Sequence, residues 1–144
     1  MRTVFVLCFL LLAALAGWAA APSRLSTGVG IGTLYAGIGV NLEYRLSGVQ
    51  SVSAGLNPFS ESLRYAGTAH FYLTPPERPR ARVRLDLGIS NSIGEDGFDD
   101  TDSGNSKIFF GLGWTPNQTS DYRGWNLDII LADEHRGISF GYNF

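Results

Sequence analysis

Gly137-Ile-Ser-Phe-Gly-Tyr-Asn-Phe144 are the last eight of the 144 residues. Apolar or aromatic side chains stand at Ile138, Phe140, Tyr142 and Phe144, with Ser139, Gly141 and Asn143 between them. A period of two is the pattern of a strand with one apolar face and one small, polar face. By itself the octapeptide serves equally well as the terminal strand of a soluble sandwich, so the rest of the chain decides what it belongs to.

Upstream the same alternation recurs. Val29, Ile31, Thr33 and Tyr35 occupy odd positions among Gly28, Gly30 and Gly32, and then the phase switches to Ile38, Val40, Leu42, Tyr44 and Leu46. A phase change in a period-2 pattern marks a turn or a bulge. It predicts a hairpin around Leu34 to Gly37 between strands near 26–34 and 37–46, or else a single bulged strand. Further strands follow at 49–56, 64–73, about 83–89, 107–115 and about 125–131, with the terminal strand as the eighth. The cleanest has Val83, Leu85, Leu87 and Ile89 facing one way and Arg84, Asp86, Gly88 and Ser90 the other. Pro75, Pro76 and Pro79 cannot continue a ladder and predict a turn. The longest loop is 91–106, rich in Gly, Asp, Asn and Ser. Gly28-x-Gly30-x-Gly32 precedes no phosphate-binding helix and no Lys-Ser/Thr, so it does not read as a nucleotide loop.

The first 21 residues have a different character. Arg2, an apolar run from Val4 to Leu15 and the small residues Ala19-Ala20-Ala21 before Pro22 read as a signal peptide, leaving 22–144 as one domain. The competing reading is an uncleaved anchor, since Val4 to Ala21 is about long enough to span a bilayer. Cleavage removes Cys8, the only cysteine, so the exported domain has no disulfide to hold it. Closing a barrel is another way to stabilise strands, because it leaves no edge. Of 11 basic and 13 acidic side chains only Arg2 lies in the leader, so the mature chain carries about −3 and no basic field for nucleic acid.

Alternation does not say which face is inside. A soluble barrel turns the apolar face inward, whereas a transmembrane barrel turns it to lipid. Three features favour the second. The polar face is dominated by glycine, which suits a narrow lumen better than a solvated surface. Tyr35, Tyr44, Tyr65, Trp114, Trp125, Tyr142 and Phe144 fall near strand ends on the apolar face, as interfacial girdles require. With both termini on one side, the longest loop falls on the opposite side. The very short first connection on that side and the long 115–124 turn fit less well.

Pattern, leader and terminal strand together resemble small eight-stranded bacterial outer-membrane barrels of the OmpA-transmembrane or OmpX type, over essentially the whole mature chain. The resemblance implies an all-β, up-and-down antiparallel transmembrane barrel behind a cleavable signal peptide. Lipid and lipopolysaccharide would surround this barrel, and it would exist as a monomer. It also implies that Phe140, Tyr142 and Phe144 form the segment read by the barrel-assembly machinery.

The inward positions include Glu43, Arg45, Arg64, His70, Arg84, Asp86 and Asp128. Charges in a narrow lumen must pair, which predicts a network of Arg84 or Arg64 with Glu43, Asp86 or Asp128 that plugs the barrel. Catalysis is not expected. Some small outer-membrane barrels modify lipid A, but His70 is followed by Phe71-Tyr72 and His135 by Arg136-Gly137, so neither has the serine two residues on that the deacylase pattern needs. Asp99, Asp100 and Asp102 are candidate ligands for a divalent cation bridging to lipopolysaccharide, without EF-hand spacing. No cofactor is expected. The expected role is structural or surface-directed. The main alternative is a soluble, lipocalin-like barrel with its apolar face inward around an apolar ligand.

Overall fold

The structure, a computed structural model, describes residues 24–60, 63–74, 81–92, 106–116, 123–132 and 135–144. Among the described residues there are eight strands: β1 Leu25–Gly32, β2 Gly37–Arg45, β3 Gln50–Asn57, β4 Arg64–Tyr72, β5 Arg82–Ser90, β6 Lys107–Thr115, β7 Gly124–Ala132 and β8 His135–Asn143. Each is antiparallel to its sequence neighbour, and β8 pairs with β1 to close the barrel. The start of β1 and the end of β8 lie at one end, called here the terminal end. The leader, the proline-rich turn and the acidic loop with Asp99, Asp100 and Asp102 lie outside the described residues.

The two faces are sorted without ambiguity. Leu87, Leu112, Ile129 and Phe140 on the outer wall are 43–53% exposed, whereas Arg84, His70 and Asp128 on the inner wall are at most 1% exposed. The barrel therefore has its apolar face outward, the reverse of the arrangement a lipocalin-like carrier needs. On the outside Tyr44, Phe71, Trp114, Trp125, Tyr142 and Phe144 gather near the terminal end. Trp125 stacks on Phe140, and Tyr142 sits edge-on to both Trp125 and Phe144.

The first hairpin consists of two strands, joined by a 3₁₀ turn at Thr33–Tyr35. Here one expectation is corrected. Tyr35 belongs to no outer girdle; it is wholly buried inside the barrel. Gly32 and Gly37, both at φ +103°, and Ala36 at φ +54° fold the connection inward instead of letting it project. The left-handed Ala36 costs about 1–2 kcal/mol. Burial of Leu34 and Tyr35, at roughly 1.5–3 kcal/mol for a large side chain, offsets that cost. The short first connection is thus part of the filling of the barrel.

Inward glycines make this possible. A Cβ on Gly30 or Gly141 would overlap the Tyr35 ring, and one on Gly55 would overlap the Leu34 backbone. On the other side of the lumen a Cβ on Gly113 would collide with Arg84 and Asp128.

Candidate functional site

Among the described residues titratable groups converge in the lumen, and period-2 alternation puts them there. At the terminal end Arg82 lies over the Tyr72 ring with 4.0 Å from its guanidinium carbon to the centroid. Its Nη2 donates to the carbonyls of Gly48 at 2.9 Å and Thr74 at 3.3 Å. Arg82 thereby ties two turns to the barrel floor.

Above this floor sits Glu43. Its Oε1 accepts from Ser51 Oγ at 2.6 Å and Tyr72 Oη at 2.9 Å, with Arg45 Nη2 at 3.7 Å. Its Oε2 accepts from Asn143 Nδ2 at 3.4 Å. One carboxylate therefore joins β2, β3, β4 and β8. A second centre is Arg84, whose Nη2 donates to Asp128 Oδ1 at 2.9 Å while its Nε lies 3.2 Å from Asp86 Oδ1. All three side chains are within 1% of full burial. At the far end Leu34, Tyr35, Phe109, Ile130 and Ala132 form an apolar cluster. Tyr35 Oη reaches down to Asn126, donating to Oδ1 at 3.0 Å, and Leu34 N–H donates to Ser139 Oγ at 3.1 Å.

His70 extends the Arg84 centre to β4 and β3. Its Nδ1 is 2.5 Å from Asp86 Oδ1 and its Nε2 is 2.8 Å from Ser53 Oγ. Because the carboxylate can only accept, Nδ1 carries a proton. Ser53, His70 and Asp86 thus stand in the order of a hydrolase triad, nucleophile to base to orienting acid. Acyl transfer further needs a carbonyl within about 3–3.5 Å of the nucleophile. Beside Ser53 Oγ stands Asn41 Nδ2 at 3.5 Å, and the hydroxyl of Thr68, opposite Ser53 in the β3–β4 ladder, is buried. The arrangement as it stands acts as a cross-strand clamp between β3, β4 and β5.

Of the residues expected in the lumen, Glu43, Arg45, His70, Arg84, Asp86 and Asp128 come together in this network. Arg64 is also buried, but it lies at the far end of β4, six residues from His70. His135 is at the far rim, where Lys107 Nζ approaches its Nε2 at 3.0 Å. Ser51, Ser53, Tyr72 and Asn126 were not singled out by sequence, although each falls on the inward parity of its strand. Ser53 and His70 are 17 residues apart, so only the β3–β4 register reveals that they meet.

On the outside a shallow groove of about 540 Å³ runs along the β8–β1 seam, bounded by Val29, Ile31, Trp125, Phe140, Tyr142 and Phe144. Among the described residues no group of three or more His, Cys, Asp or Glu side chains is arranged to hold a metal ion. Comparison with protein-family models, with curated proteins and with solved structures finds no match for this chain.

Proposed function

We propose that this protein is an integral β-barrel of a bacterial outer membrane, exported behind its leader. In this reading it has a structural or surface-interaction role and its lumen is packed shut. The observation that supports the reading is the inverted barrel wall. Leu, Ile, Val and aromatic side chains cover the outside, and an ion-paired network sits inside. In water so much exposed apolar surface promotes aggregation, whereas in a bilayer it is the required exterior. The aromatic belt near the terminal end suits the inner interface of such a membrane. Lipid and lipopolysaccharide are its immediate surroundings, and the connections at the far end are what it presents outward.

A packed lumen argues against solute passage, and Tyr72 with Arg82 at one end and Leu34 with Tyr35 at the other support that reading. The test is cell fractionation followed by gel migration with and without boiling. Recovery from the outer membrane with a heat-dependent shift is expected. Recovery as a water-soluble monomer overturns the proposal.

A further inference from the structure

The barrel wall is uneven at one place. β8 pairs with β7 at nine positions, from His135 to Asn143, but with β1 at only four, from Phe140 to Asn143. The cause lies on β1, whose backbone leaves the wall at Gly32, so its last rung is Ile31 opposite Phe140. Beyond that rung β8 faces the 3₁₀ turn. Leu34 N–H donates to Ser139 Oγ, and the Thr33 hydroxyl lies beside Gly137. The Tyr35 ring lies across Gly30 and Gly141, which face each other in the seam, and continues to Asn126 on β7.

We infer that the turn Thr33–Ala36 is a strap that closes the barrel across the β1–β8 seam, and that its release opens this seam before any other ladder. The strap belongs to the first hairpin, yet its Leu34 N–H and Tyr35 hydroxyl donate to the last one, over a separation of 105 residues for Leu34 and Ser139. Without it the seam keeps four rungs and the bond from Phe144 N–H to the Thr27 carbonyl. The next shortest ladder, β6–β7 with five rungs, joins strands that follow one another in sequence, so closing it spans far less chain than closing the seam does. The seam joins opposite ends of the domain and has no such help. Opening there would expose the apolar far half of the lumen, lined by Phe109 and Ile130, to the groove on the outer wall.

Hydrogen exchange read by mass spectrometry on the folded, full-length domain tests this, whether it is folded in micelles or in buffer, so the result is independent of the membrane proposal. In Tyr35→Ala the amides of 28–31 and 140–143 should exchange at least about tenfold faster, while those of 51–57 and 64–72 stay as protected as before. Tyr35→Phe, which removes only the hydroxyl, should show a smaller effect in the same segments. Ser53→Ala, which removes a bond to His70 between β3 and β4, should leave the seam unchanged. Uniform acceleration of every ladder, or an unchanged seam, overturns the inference. Should Tyr35→Ala fail to fold, Tyr35→Phe decides by the same pattern.

Discussion

Arg84 on β5 donates to Asp128 on β7 at 2.9 Å, spanning β6 through the space that Gly113 leaves empty. The bond locks three consecutive strands in one register, because a slip of a single residue would turn Arg84 to the outside. Asp86 shares the same guanidinium. Replacing Arg84 by Met should therefore leave two buried carboxylates without their cation, at a loss of about 3–5 kcal/mol. Reversible urea unfolding of the reconstituted barrel measures it. A loss below about 1 kcal/mol would mean that the pair contributes no more than a surface ion pair does.

Glycines on the two faces should respond in opposite directions. Gly113 points inward, and a side chain there meets Arg84 and Asp128; Gly67 points outward, and its nearest neighbour would be Ile89 Cγ1 at 3.8 Å. Gly113→Ala should destabilise by about 1–3 kcal/mol through overpacking. Gly67→Ala should be neutral or stabilising by up to about 1 kcal/mol, since a strand glycine loses more entropy on folding than alanine. Unfolding midpoints of the two variants under identical conditions check the contrast, and equal responses would show that the faces are wrongly assigned.

His70 offers a spectroscopic check on the clamp. Its Nδ1 proton, 2.5 Å from a carboxylate oxygen, should give a far-downfield proton resonance that disappears in Asp86→Asn or moves strongly. Ser53→Ala should leave that resonance in place and cost about 1 kcal/mol, the worth of one neutral hydrogen bond. Loss of the resonance in Ser53→Ala with an unaltered Asp86 would contradict the present geometry.

Much of this was legible in the sequence because a strand's parity is local. Once Val83, Leu85, Leu87 and Ile89 define one face, Arg84 and Asp86 must share the other, and the same rule sends His70 and Asp128 inward. The strand bounds followed for the same reason, with Lys107–Thr115 agreeing at both ends. Parity fails where the backbone leaves the pleat. Tyr35 continued the odd-numbered apolar row of β1, so it was expected outside, but positive φ at Gly32 and Gly37 carries it into the lumen. The glycines that admit its ring lie on β1 and β8, which sequence separation hides. Ser53 was missed for a related cause. Serine is common on any polar face, and only the register between β3 and β4 distinguishes the one that touches His70.

The wall itself supplies the sharpest test of the proposed environment. Leu87 lies near the middle of β5, on the outer face and 43% exposed. In a soluble barrel an exposed leucine can be exchanged for arginine with a change of about 0.5 kcal/mol or less. In a bilayer the same exchange near mid-depth costs about 2–4 kcal/mol, and the cost falls towards the interfaces. Leu87→Arg and, as the interfacial comparison, Tyr44→Arg should therefore differ by about 2 kcal/mol or more when unfolded from lipid vesicles. A depth-dependent loss places hydrocarbon around β5. The absence of any difference between the two positions would remove the membrane reading, because no other solvent penalises a charge according to its height along the barrel.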